Sequence, residues 1–82
     1  MSPKLRNVTV REFIRALEKD GFEFKRQRGS HKVYFHPKRN RQVLIAYHHS
    51  GETILSGMLH DLIDDAGWTD DDLIRLKLMK KG

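Results

Sequence analysis

The sequence predicts an α+β fold, in which three antiparallel strands form a sheet and two helices pack on one face of it. Apolar residues recur at helical spacing near both ends of the 82-residue chain, and three segments with strand-like alternation lie between them. The links between those segments are short, so neighbouring strands should run antiparallel. The predicted order of elements is α-β-β-β-α, followed by a short helix at the C-terminal end.

The first helix is predicted to begin directly after Thr9. Thr9 and Glu12 have the spacing of a capping box, in which each side chain accepts a hydrogen bond from the backbone N–H of the other residue. An apolar stripe with helical spacing follows, formed by Val10, Phe13, Ile14 and Leu17. Asp20 and Gly21 should end the helix, because glycine adopts the left-handed conformation of a helix end at little cost.

The three strands are predicted over residues 22–28, 31–36 and 41–47. Gly29 and Ser30 supply turn residues for the first connection, and residues 37–40 supply them for the second. Strict alternation of side chains along each strand predicts one inner, apolar face of the sheet. That face would be formed by Phe22, Phe24, Val33, Phe35, Val43 and Ile45.

The second helix is predicted over about residues 57–66, and Gly67 should end it. Its apolar stripe is formed by Leu59, Leu62, Ile63 and Ala66. A last helical turn or two should start at residues 69–72, where three aspartates suit the positive end of the helix dipole. Lysines at the other end would complement it: Lys77, Lys80 and Lys81. We interpret the whole as one domain over residues 1–82, similar to double-stranded-RNA-binding domains.

The composition excludes several classes of protein. The chain has no cysteine, which excludes a disulfide-stapled miniprotein and every cysteine-based zinc, redox or nucleophilic site. Apolar residues make up 38% of the sequence, yet no apolar run is long enough to span a bilayer. We therefore expect a cytoplasmic protein with no membrane partner.

The positive charge lies mostly in the N-terminal half. Residues 1–42 contain twelve basic and four acidic side chains, whereas residues 43–82 contain four basic and seven acidic ones. Residues 25–41, here called the basic segment, contain no acid and seven basic residues: Lys25, Arg26, Arg28, Lys32, Lys38, Arg39 and Arg41. Such a segment attracts polyanions, and nucleic acid is the first candidate. A solvated face that only keeps the chain soluble is the alternative.

His31 is the side chain of the basic segment best suited to exchange protons near neutral pH. It directly follows the turn at Gly29 and Ser30, where an imidazole at a strand edge can reach solvent. Alternation, however, places it in phase with Val33 and Phe35 on the predicted inner face. The residues alone therefore leave a catalytic and a structural role open, and the structural role is the more ordinary of the two.

Metal chemistry is disfavoured, and aromatic stacking is left open. His48 and His49 are neighbours on an extended chain, point to opposite sides and make a poor chelate. Two-metal nucleases need several carboxylates at one site, which the basic segment lacks, so we expect no metal and no cofactor. Tyr34 and Tyr47 remain available to stack on bases, whereas Phe35 is more simply a core residue.

The chain contains a recognisable series of residues: Gly21-Phe22, Gly29-Ser30-His31-Lys32-Val33-Tyr34, His49, Gly57 and Ala66-Gly67. The most specific part is the Gly-Ser-His sequence with an aromatic residue three positions after the histidine. Over roughly residues 8–76 this series resembles the HicA family of bacterial toxins. The family usually has a proline two residues before its second histidine, and here Tyr47 stands at that place.

The resemblance implies a fold like that of double-stranded-RNA-binding domains and an RNA-cleaving activity that shuts down translation. It places the single essential histidine at His31 and implies a cognate HicB antitoxin that covers the active surface. We therefore predict a metal-independent endoribonuclease that cleaves mRNA. A non-catalytic RNA-binding module of the same fold is the alternative, and a partner protein with no RNA role is a third.

Six residues around His31 are predicted to bind RNA or to position its phosphate: Arg26, Arg28, Gly29, Ser30, Lys32 and Tyr34. Glycine lets the backbone approach a phosphate closely, and the serine can orient it through its hydroxyl or amide group. The three cations would offset charge that builds up in the transition state. Tyr34 would either stack on a base or pack in the protein.

Overall fold

All the predicted helices and strands are present, in the predicted order, in the computed structural model, which describes residues 4–80. Each predicted boundary lies within one residue of the observed one. The elements are β1 (Lys4–Leu5), α1 (Val10–Lys19), β2 (Glu23–Arg28), β3 (His31–His36), β4 (Arg41–Ala46), α2 (Ser56–Ala66), α3 (Asp70–Arg75) and β5 (Met79–Lys80). Strands β2, β3 and β4 form an antiparallel sheet in that order, which confirms the α+β prediction.

Two short strands were not predicted, because two residues are too few to show a period. Strand β1 pairs antiparallel with β5, with Leu5 opposite Met79. Helix α3 ends at Arg75, and Lys77 then adopts a left-handed conformation with φ of 63° that turns the chain into β5. The expectation that Lys80 complements this helix end is therefore wrong, because it lies in a strand. Lys81 lies outside the described residues.

The ends of the helices have the predicted caps. The Thr9 Oγ1 atom accepts a hydrogen bond from the Glu12 backbone at 3.2 Å, and Glu12 Oε1 accepts one from the Thr9 backbone at 3.0 Å. Helix α3 has the same capping box, between Thr69 and Asp72. Gly67 ends α2 with φ of 74°. Within residues 4–80, no helix combines the length and the apolar character that crossing a bilayer requires.

The core lies between the helices and the inner face of the sheet, and part of the predicted inner face is wrong. Tyr34 pairs with Val43 across the β3–β4 ladder and is buried with it in the core, so Val33 and Phe35 point to the outer face. Alternation defines the two faces of a strand but does not show which face the helices cover. In residues 33–35 all three side chains are apolar or aromatic, so either face could have been the inner one. Phe24 has the inner phase, but it stands on an edge strand and is 54% exposed.

A β-bulge in β2 positions the arginines of the basic segment. The register shifts between Phe24 and Arg26, so one extra residue on β2 has no partner on β3. After this bulge Arg26 pairs with Val33, and Arg28 pairs with His31. The bulge therefore brings both arginines onto the outer face, beside the histidine.

Asp20, at the end of α1, joins three distant segments. Its Oδ2 atom accepts a hydrogen bond from Trp68 Nε1 at 2.8 Å and pairs with Arg39, and its Oδ1 atom pairs with Arg75 at 2.8 Å. The backbone carbonyl of Asp20 lies 2.9 Å from His36 Nε2. Because the Arg39 backbone N–H donates to His36 Nδ1, the proton of this imidazole is on Nε2. Both ring nitrogens of His36 are thus used in holding the fold.

Candidate functional site

His31 lies at the start of β3, on the outer face, which no helix within residues 4–80 covers, and its side chain is exposed. Across the ladders it stands between Arg28 on β2 and Ala46 on β4. The structure thus corrects the expectation that His31 faces inward: it shares a face with Val33 and Phe35 as predicted, but that face is the outer one.

A groove of about 280 Å³ surrounds this histidine. It is lined by Arg26, Arg28, His31, Val33 and Leu44. Val33 is only 4% exposed although it lies outside the main core, so it forms an apolar floor of the groove. The acidic residue of β2, Glu23, pairs across the ladder with Phe35, toward the opposite end of β3 from His31. The groove therefore combines the imidazole of His31, two arginine side chains and an apolar floor.

The turn before His31 is held from both neighbouring strands. The Gln27 Nε2 atom donates to the carbonyl of Gly29 at 3.0 Å, and the Tyr47 backbone N–H donates to the carbonyl of Ser30 at 3.1 Å. Gly29 has φ of 60°, and a Cβ atom there would meet nothing within 4 Å. Glycine is therefore required at this position by its backbone conformation, not by lack of space.

Lys32 lies on the opposite side of β3 from His31. It pairs with Gln27 and Ile45, and its Nζ atom stands 5.4 Å from the centre of the Tyr47 ring. The Tyr47 hydroxyl beside it raises the pKa of Lys32 above its ordinary value, so the side chain is cationic at neutral pH. The predicted set of phosphate-binding residues is thus divided: Arg26 and Arg28 share the face of His31, whereas Lys32 does not.

Tyr34 is buried in the core, where its ring packs edge-on against Phe24 at 5.8 Å between ring centres. Burial raises the pKa of the Tyr34 phenol above its usual range. A buried ring cannot stack on a base of a bound RNA. Of the two roles considered for Tyr34, packing is the one that the structure supports.

His48 and His49 lie in the loop after β4, and both side chains are exposed. The Glu52 Oε1 atom accepts hydrogen bonds from their backbone N–H groups, at 2.7 Å and 3.3 Å. These bonds lower the pKa of Glu52, so the carboxylate is ionised and shapes the loop. Across residues 4–80, no three histidine, aspartate or glutamate side chains gather closely enough to hold a metal ion.

Two residues of the site were missed by the sequence analysis. Leu44 lines the groove of His31, and Gln27 holds the turn before it. Leu44 stands between Val43 and Ile45 in the apolar run of β4, and alternation requires that such a run sends side chains to both faces of the sheet. That pattern could have identified Leu44. Nothing in the sequence distinguishes Gln27 from any other polar strand residue.

Comparison with known proteins found one family. The family model described as the HicA toxin of bacterial toxin–antitoxin systems matches residues 10–68. The matched region runs from the first residue of α1 to Trp68 and includes the basic segment with His31. Among curated proteins, none is a significant match to the chain.

Proposed function

Since the chain belongs to the HicA family and is thus the toxin of a bacterial toxin–antitoxin system, we propose that it is an endoribonuclease that cleaves mRNA and inhibits translation. One observation carries the proposal: an exposed imidazole, His31, lies in an open groove beside two arginine side chains of the neighbouring strand. Imidazole transfers protons near neutral pH, and arginine binds phosphate. Cleavage would then take place in the cytoplasm, where mRNA is translated.

His31 is the proposed general base or general acid of the reaction. As a base, it takes the proton of a ribose 2′-hydroxyl while the O2′ atom attacks the adjacent phosphorus. The new O2′–P bond replaces the P–O5′ bond, which leaves a cyclic phosphate and a free 5′-oxygen that must take up a proton. One histidine does not easily do both at once, so water or a second group supplies the other proton transfer.

The cations of the groove would stabilise the negative charge that develops on the phosphoryl oxygens. Arg26 and Arg28 stand on the same face as His31, so they are the residues proposed for this role. Gly29 exposes the backbone of the turn, which lets a phosphate approach closely, and Ser30 can orient it. Lys32 lies on the other face of the sheet and Tyr34 is buried, so neither is proposed to contact this phosphate.

The decisive experiment is cleavage of a labelled single-stranded mRNA by the purified protein in excess EDTA. The wild-type protein should cut the RNA, and the His31→Ala variant should not. His60→Ala is a matched control, because His60 is also exposed but lies on α2, outside the groove. A 2′-deoxy nucleotide at the cleaved position should block turnover, because it removes the attacking hydroxyl.

The outcomes separate the proposed activity from its alternative. If wild type and His31→Ala both retard the RNA on a gel and leave it intact, the chain is an RNA-binding module without catalysis. If both variants cut equally, the activity comes from another residue or from a contaminant. Cleavage of the 2′-deoxy substrate would refute the proposed attack by O2′.

A toxin of this kind has a cognate antitoxin, and we propose that it is a HicB-type protein with an acidic segment that covers the outer groove. Charge complementarity with the basic segment would speed its capture of the toxin. The association rate should then fall as salt is added, and charge reversal by Arg28→Glu should lower it further. An association rate that is independent of salt would contradict an acidic docking segment.

A further inference from the structure

Two adjoining clefts meet at Tyr47, on the side of the sheet away from the His31 groove. The first, of about 320 Å³, is polar and contains the Lys32 ammonium and the Gln27 amide. The second, of about 190 Å³, is largely apolar and contains Leu55 and Met58. Three residues line both clefts and make them continuous: Ser30, Tyr47 and His48.

Tyr47 is fixed next to the turn that precedes the proposed catalytic residue. Its backbone N–H donates to the carbonyl of Ser30 at 3.1 Å, and it follows Ala46, the residue that pairs with His31. The Tyr47 ring is half-buried, with the Lys32 ammonium 5.4 Å from its centre. An RNA strand that crosses the Gly29–Ser30 turn from the groove therefore reaches the cleft that this ring lines.

The chemistry of the two clefts matches the two ends of a nucleotide. An aromatic ring beside exposed apolar side chains offers a surface on which a base can stack, and Leu55 is 77% exposed there. A lysine that is held cationic offers a site for the attached phosphate. The Glu52 carboxylate at the rim accepts bonds from the His48 and His49 backbones and faces those N–H groups. A cleft that holds the Lys32 ammonium and borders the Gly29–Ser30 turn fits RNA better than an apolar peptide.

We propose that these clefts bind the nucleotide adjacent to the cleaved phosphate, with its base against Tyr47 and its own phosphate on Lys32. The inference rests on the proposed ribonuclease function and extends it. A subsite of this kind gives the enzyme a base preference at one position beside the cleaved phosphate. The preference is for stacking, so it favours large bases over small ones and reads no hydrogen-bond pattern.

The test combines removal of the base with removal of the ring. An RNA oligonucleotide with one mapped cleavage point is made with an abasic ribose at each flanking position in turn. The kcat/KM values are measured for wild type, Tyr47→Ala and Tyr47→Phe. At one position the abasic substitution should slow the wild type by about tenfold, the effect of losing one stacked base. The same substitution should have little effect on Tyr47→Ala, and Tyr47→Phe should behave like the wild type.

Control measurements distinguish the possible failures. Phe24→Ala removes an exposed aromatic ring outside both clefts and should keep the wild-type response to the abasic series. Thermal unfolding of each variant checks that the fold is retained. Equal abasic effects in wild type and Tyr47→Ala at every position would overturn the inference and leave a protein segment as the occupant. If the wild type cuts no RNA at all, the proposed function fails, and the subsite for a cleaved nucleotide fails with it.

Discussion

Replacement of Asp20 with alanine should destabilise the fold without touching the proposed site. The Trp68 residue is 7% exposed, and its indole N–H donates to the Asp20 carboxylate at 2.8 Å. Leaving this buried donor without a partner costs about 2 kcal/mol, within the usual range of about 1–3. The side chains of Arg39 and Arg75 are 35% and 48% exposed, so solvent screens their ion pairs and they add little.

The expected loss is large for a domain of this size. A change of 1 kcal/mol shifts the melting temperature of a 60–100-residue domain by about 4–8 °C, so Asp20→Ala should lower it by roughly 8–16 °C. The free energy of unfolding is measured by urea titration, followed by far-ultraviolet circular dichroism. The measurements use the His31→Ala background, so that a toxic activity does not limit expression.

A double-mutant cycle with Trp68→Phe tests the cause of the loss. Phenylalanine keeps an aromatic ring against Phe13 and Phe22 but has no N–H group, so no buried donor is left unpaired when the carboxylate is removed. Asp20→Ala should then cost about 1–3 kcal/mol less in the Trp68→Phe background than in the parent. If Asp20→Ala costs the same in both backgrounds, the indole hydrogen bond is not the source of the stability, and the reasoning is refuted.

Three further predictions concern a helix end, acid stability and the cations of the groove. Gly67→Ala should destabilise more than Gly29→Ala, as urea titration would show. Both glycines have positive φ, but a Cβ atom at Gly67 would displace the Arg41 guanidinium from the carbonyls of α2 to which it donates, whereas one at Gly29 meets nothing within 4 Å. The Thr9 backbone N–H lowers the pKa of Glu12 below its ordinary 4.5, so the carboxylate stabilises the fold above pH 4.5 and this stability is lost as the pH falls through the lower, folded-state pKa. The melting temperature of Glu12→Gln should therefore fall less steeply below pH 4.5 than that of the parent protein. Identical pH profiles for the two proteins would contradict this. For binding of single-stranded RNA in the His31→Ala background, Arg26→Ala and Arg28→Ala should each reduce the slope of log K against log salt by about 0.7, and an unchanged slope would mean that the arginine contacts no phosphate.

The helices could be predicted closely because their ends depend on residues that are close together in the sequence. Thr9 and Glu12 form a capping box that depends only on residues three positions apart, and Gly67 marks a helix end by its backbone conformation alone. The sheet was harder. The β-bulge before Arg26 has no sequence signature, and the short β1–β5 pair depends on contacts between residues that are far apart in the chain.

The candidate site was predicted in part. Alternation correctly grouped His31 with Val33, but it could not tell which face of the sheet the helices cover. The resemblance singled out His31, and the other site residues were chosen as its neighbours in sequence. Such neighbours point alternately to the two faces of a strand. Lys32 and Tyr34 consequently lie on the opposite face of β3 from His31. Arg26 and Arg28 share its face, although they belong to the neighbouring strand.

The apolar floor of the groove has a consequence for how this toxin can lose its activity by mutation. Val33 is shielded on a face without helices, and its partners across the ladders are Arg26 and Leu44. Loss of Arg26 therefore removes a cation and also uncovers an apolar patch on the free toxin, which favours aggregation. A change at His31 removes the proposed catalytic group and leaves that cover in place. Among escape mutants selected to be harmless yet soluble, substitutions of the histidine should therefore outnumber those of the arginine.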